Sequence, residues 1–168
     1  MAACPTSSSS ISTRAGATIF ARLNLEWLQR WFVVEPIDRE VLDDPETHIL
    51  ADGGRVLFAI ATDPGGTRHA VGTAALKHEG RGVYELTKMA VAPEARGCGV
   101  GRQLMHRALQ SFEQMGGTEL FLESSSRLGP ALKLYESVGF AHRPAPRPGS
   151  HYARADVYMV WESSAVPG

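Results

Sequence analysis

Cysteine is scarce in this chain: Cys4 and Cys98 are the only two in 168 residues. Two such residues build no disulfide framework, which points to a reducing compartment and a cytoplasmic location. The six histidines are scattered without H-x-x-x-H or C-x-x-C spacing, so no metal site is expected. Long hydrophobic runs are missing too, which excludes a transmembrane helix, and the first residues lack the apolar centre of a secretory signal. Net charge is close to absent at −1. Such a balance gives no bulk attraction to nucleic acid or to a membrane surface. What remains is an ordinary soluble composition, 43% hydrophobic and 21% charged, in a length that suits one domain with a sizeable core.

The pattern along the chain predicts a flexible tail over 1–12, one domain over 13–163 and a short tail over 164–168. Met1 to Ser10 is poor in apolar residues and is expected to be disordered. No acidic residue precedes Glu26, while Arg14 and Arg22 do, a trace of transit-peptide character that a plain flexible terminus also explains. Ile19, Leu23, Trp27, Leu28 and Trp31 recur at helical spacing and predict a helix from Ala15 to Phe32. Pro36 opens a second, short helix through Leu42. Three strands follow, at Val56 to Thr62, His69 to Leu76 and Val83 to Val91, separated by turns at Asp63-Pro64-Gly65-Gly66 and Glu79-Gly80-Arg81-Gly82. A helix runs from Val100 to Met115, then a short strand from Leu120 to Glu123. A further helix spans Pro130 to Val138 and closes at Gly139. Phe140 to His142, a proline-rich loop and a long strand around Tyr152 to Trp161 complete the chain. The order is α/β without regular βαβ repetition.

The segment Val83 to Gly101 carries the chemistry. A strand stops at Pro93 and delivers a glycine-rich turn, R-G-C-G-V-G (Arg96 to Gly101), into a helix. Backbone N–H groups at a helix N-terminus favour an anion, so a phosphate or pyrophosphate is the expected guest. No Lys-Ser/Thr follows the glycines, which disfavours a nucleoside triphosphate loop. The glycine spacing and the lack of an acidic residue about 20 positions on disfavour a dinucleotide fold.

Arg96, Gly99 and Gly101 fill R-x-x-G-x-G, and A-L-K-L-Y-E-S-V-G-F (Ala131 to Phe140) follows in the right order. On these two motifs the chain resembles the GCN5-related N-acetyltransferases, the GNAT superfamily, from about Ala15 to Trp161. The resemblance implies a central, mostly antiparallel mixed sheet of six to seven strands, flanked by about four helices, with strands 4 and 5 splayed. It implies acetyl-CoA as cosubstrate and no metal. Its pyrophosphate would lie on the N–H groups of Gly97, Cys98, Gly99, Val100, Gly101 and Arg102, near the Arg96 side chain. Its pantetheine arm would pair like an extra strand with Met89, Ala90 and Val91. Where relatives often keep an Asn, this chain has Glu123-Ser124-Ser125-Ser126, so Ser125 is either a cofactor ligand or a helix cap.

Transfer to an amine needs a base. At pH 7, deprotonating an amine of pKa about 10.4 costs roughly 4–5 kcal/mol. Glu85, eleven residues before Arg96, occupies a position where some histone-type relatives hold a glutamate base; it can also be a polar strand residue paired to Lys88. His69 and His78 are weaker candidates. Tyr135 corresponds to the family's general acid to the leaving thiolate, or else to a core aromatic. Cys98, flanked by glycines at a helix start, is better explained by backbone contact than by nucleophilic catalysis. On the acceptor side the expected residues are Trp27, Trp31, Tyr152 and Arg154. Alternation along the last strand would set Tyr152, Arg154 and Asp156 on one face, with Arg154 binding a substrate carboxylate. The expected partner is a small-molecule amine, with a homodimer as a common option in the family. A peptide or protein N-acetyltransferase and a non-catalytic acyl-CoA-binding module stay open beside it.

Overall fold

A computed structural model describes residues 7–10 and 14–163 of the chain. Seven strands form one sheet in the order β1-β2-β3-β4-β5-β7-β6. They are β1 Ser7–Ser10, β2 Arg55–Thr62, β3 Arg68–Gly80, β4 Val83–Val91, β5 Glu119–Ser124, β6 Phe140–Arg143 and β7 Val157–Trp161. Every pairing is antiparallel except β4 with β5. The α-helices among the described residues are α1 Arg14–Trp31, α2 Pro36–Asp43, α3 Val100–Gln114 and α4 Gly129–Ser137. A short π-helical turn, Glu46–Leu50, follows α2 and was not expected.

The central strands read as apolar runs because both faces of the sheet are covered. On one face Leu57, Ala59, Leu86, Leu120 and Leu122 pack with Leu104, Met105, Ala108 and Phe112 of α3. On the other, Val56, Phe58 and Ala75 meet Phe20 and Leu28 of α1 and Val41 and Leu42 of α2. Gly72 marks the closest approach of α3: a Cβ there would come within 2.9 Å of Val100 and Leu104. That contact seats the first turn of α3 against β3, and the glycine turn with it.

Two features of β4 create the site. Its pairing with β5 covers only Val83, Tyr84 and Glu85, and then the two strands part. Its pairing with β3 runs on to Val91, and the Ala92 N–H still reaches the Val71 carbonyl at 2.8 Å. From Leu86 onward one edge of β4 is therefore open. In addition, the register with β3 shifts where Ala75 faces Thr87 and Thr73 faces Ala90. Lys88 lies in this bulge with φ +53, a left-handed backbone that re-aims its side chain.

Two expectations are corrected. Ser7–Ser10 of the expected disordered tail pairs antiparallel with β2. Backbone groups on an open sheet edge need no apolar side chains to pair, so composition gives no warning. The final strand is Val157–Trp161 alone, and Tyr152 to Asp156 is loop. The remaining expected tail residues, 1–6, 11–12 and 164–168, lie outside the described residues, as does residue 13 of the expected domain.

Candidate active site

Beyond Pro93 the chain makes a 3-10 turn, and Arg96 is extended (φ −68, ψ 147). Gly97 and Gly99 then take φ +79 and +78, which an L side chain adopts only with strain. Gly99 caps α3, and its carbonyl accepts the first helical bond from the Gln103 N–H at 3.0 Å. The N–H groups of the first turn are left pointing outward, as an anion requires. A groove of about 460 Å³ runs from this turn along the open edge of β4. Met89, Ala90 and Val91 line it, as do Arg96, Gly97, Gly99, Val100, Gly101 and Arg102, with Pro130, Leu134 and Tyr135 of α4 opposite. Gly101 keeps the groove open, since a Cβ there would sit 3.2 Å from Leu134 and 3.4 Å from the Met89 methyl. An open strand edge leading to an N–H cradle fits a long pantetheine arm ending in a pyrophosphate. Cys98, partly buried against the core, is absent from the groove wall.

A second cavity, about 90 Å³, opens between β4 and β5 where they part. Asn24, Trp27 and Leu28 of α1, with Phe32 just beyond its end, roof it, and Tyr152, Arg154 and Ala155 close its side. Trp27, Met89 and Tyr135 belong to both walls, so the groove and the cavity meet there. Glu85, at the fork, is 5% exposed and faces this cavity. Its carboxyl accepts no hydrogen bond from a described residue. Burial pushes it up to about 7, opposed by the Lys88 charge and reinforced by Glu123 and Glu79. Burial likewise raises the Tyr135 phenol to about 12.

A charged cluster fixes the cavity's outer side. Asp38 is fully buried at 0% exposure. The Lys88 ammonium donates to Asp38 Oδ1 at 2.7 Å and to the Tyr152 hydroxyl at 3.3 Å. Arg154 grips Asp38 with both terminal nitrogens, at 2.7 and 2.8 Å, and gives Glu35 a further bond of 2.8 Å. Burial alone would raise Asp38, but the Arg154 bonds, the Lys88 charge and the Glu35 N–H overcome it and hold the carboxyl at about 2. Lys88 is lowered by its burial, with Asp38 opposing.

The structure brings Glu85, Tyr135, Trp27 and the glycine turn together and separates other expected residues. Trp31, 41% exposed, stands in a shallow surface depression with Arg30 and Val33, away from the cavity. Ser125 lines the β4–β5 cavity instead of the cofactor groove, and its hydroxyl accepts the Arg127 N–H at 3.3 Å. It does not cap α4, whose N-cap is Leu128. Arg154 is not free for a substrate carboxylate, because Asp38 and Glu35 already hold it. Asp156 turns away to bond Ser126. Lys88 pairs with Asp38 instead of Glu85. His69 bonds Asp63, and His78 reaches the Asp52 carbonyl, both away from the cavity. Sequence reasoning missed Asp38, Lys88 and Glu123. The only signals were a lysine three residues after Glu85 in the same strand and an aspartate two residues after Pro36.

The family model for the acetyltransferase (GNAT) family matches residues 21–140, most of the chain and all of the groove. The chain belongs to the GNAT family. An uncharacterised N-acetyltransferase of Schizosaccharomyces pombe is 33% identical over 97 residues, covering 54% of this chain and 58% of that protein. The uncharacterised N-acetyltransferase YjgM of Escherichia coli is 35% identical over 71 residues, covering 42% of each. The chain thus spans about half the length of these curated relatives. A GNAT acetyltransferase structure from Staphylococcus aureus superposes with a TM-score of 0.78 at 17% identity, covering 92% of this chain and 98% of that one. The yncA structure from Salmonella typhimurium, solved with acetyl-CoA, gives 0.66 at 18% identity and covers 94% of each chain. At such identities the likeness establishes the GNAT fold.

Proposed function

We propose that this protein transfers acetyl from acetyl-CoA to a primary amine of a small molecule, by direct attack in a ternary complex. The observation that carries this reading is the meeting of two compartments at Trp27, Met89 and Tyr135. One compartment is an anion-cradling groove and the other holds a buried carboxyl. When bound in the groove, acetyl-CoA supplies the activated acetyl group.

The residues then divide the work. N–H groups from Gly97 to Arg102 hold the pyrophosphate, and the open edge of β4 pairs with the pantetheine amides. A β4 N–H between Met89 and Val91 polarises the thioester carbonyl. Glu85, tuned to about 7, is poised to take the ammonium proton at neutral pH. Tyr135, raised to about 12, keeps its proton until it gives it to the departing sulfur, and the second proton shed by the acylated nitrogen restores the phenol. Trp27 and Phe32, with ring centroids 5.8 Å apart, exclude water above the reacting atoms. The cavity is too small for a folded protein segment and suits a short aliphatic amine. Mixing the protein with acetyl-CoA and a panel of small amines and peptides, and following thiol release, tests this. Release with small amines supports it. Cofactor binding without release from any amine would leave only an acyl-CoA-binding module.

A further inference from the structure

The cavity walls carry more negative than positive charge once internal pairs are removed. Lys88 and Arg154 are its two cations, and Asp38 and Glu35 hold both of them. Glu85 and Glu123 remain. Glu85 is almost wholly buried, faces the cavity and accepts no hydrogen bond from a described residue. Glu123 also lines the cavity, and its Oε1 is enclosed with no hydrogen-bond partner among the described residues. Glu85 pairs across the parallel strands with Phe121, and Glu123 lies two residues beyond Phe121. Successive alternate residues of a strand share a face, so both carboxyls stand on the same side of the fork. Buried carboxylate oxygens normally find donors; Glu123 Oε1 has none among the described residues, and the neighbouring Glu85 carboxyl lines the same cavity.

The structure assigns Glu123, together with Glu85, to an acceptor that carries a second cationic group besides the reacting amine, a diamine and not an amino acid. The assignment rests on the proposed amine acetylation. Glu85 takes the proton from the reacting ammonium, and Glu123 receives the distal ammonium in a charge-assisted hydrogen bond. A carboxylate-bearing acceptor finds no free cation on these walls, so the site discriminates against it as well as for the diamine.

The test compares putrescine, butylamine and gamma-aminobutyrate as acceptors with acetyl-CoA, in the native protein, Glu123→Gln and Glu123→Asp. The expected order of kcat/KM is diamine, then monoamine, then amino acid, with about a tenfold step between the first two. Glu123→Gln brings the diamine-to-monoamine ratio to about one, chiefly through KM for the diamine, and Glu123→Asp restores part of it. A merely structural role would lower both rates together and leave the ratio where it was. Native protein that uses butylamine as well as putrescine, or prefers gamma-aminobutyrate, would overturn this assignment and leave amine acetylation standing. An unchanged ratio in Glu123→Gln would also overturn it. Turnover of none of the three would remove both.

Discussion

Replacing Glu85 by Gln removes a buried ionisable group while keeping its shape, and the structure fixes how stability should respond. Burial moves the carboxyl from 4.5 to about 7. A folded pKa above the unfolded one means that the folded chain binds the extra proton between these values. Stability therefore falls as pH rises through that window. At about 1.36 kcal/mol per unit, ionised Glu85 costs the fold on the order of 3 kcal/mol at pH 8. Glutamine does not titrate. Near pH 4.5 the two proteins should be about equally stable, and by pH 8 Glu85→Gln should be the more stable by about 3 kcal/mol. For a chain of this length that is roughly a 6–12 °C gap in Tm. Urea unfolding or thermal melts from pH 4.5 to 8 measure it. Parallel pH curves for the two proteins would refute the reasoning, because they would mean that Glu85 is solvated or already paired.

Other outcomes follow from the same geometry. Tyr135→Phe keeps the aromatic wall but loses the proton donor; kcat should drop about 10²-fold with acetyl-CoA affinity retained, measured by steady-state kinetics and equilibrium binding. Gly99→Ala meets no atom within 4 Å but forces a side chain to φ +78, so calorimetry should show a loss of about 1–2 kcal/mol. Gly101→Ala, unstrained but crowding Leu134 and Met89, should instead raise the KM for acetyl-CoA at nearly unchanged Tm. Lys88→Met removes one partner of a buried pair but leaves Asp38 held by Arg154 and the Glu35 N–H, so urea denaturation should show a cost of about 1–3 kcal/mol.

The parts legible in the sequence are those written in consecutive residues. The strand, Pro93, the glycines and the following helix are one local pattern, and the groove is built directly from it. Tyr135 and Glu85 were named through the resemblance to the GNAT superfamily, and the structure sets both on the wall of one cavity. The acceptor side was not, because its charges come from separate places in the chain. Nothing near Lys88 reveals that Asp38, fifty residues earlier, will be its partner. The bulge that aims Lys88 inward depends on the register with β3, which no single strand encodes. Tyr152 to Asp156 is expected to extend the last strand, yet Glu35, the N-cap of α2, and Asp38 within it capture Arg154 and the Ala153 N–H and hold this stretch as a loop. A favourable pattern lost there to side-chain bonds made at long range.

The central claim is that Glu85 serves as the base for an amine acting on acetyl-CoA in this groove. Its most direct test is the pH dependence of amine-dependent thiol release, measured as kcat/KM for the native protein and Glu85→Gln. The account predicts an acidic limb with a midpoint near 7 in the native protein, and in the variant a loss of that limb with a rate about 10²–10⁴-fold lower. A native profile flat through pH 7, or a variant that keeps both the limb and the rate, would contradict it.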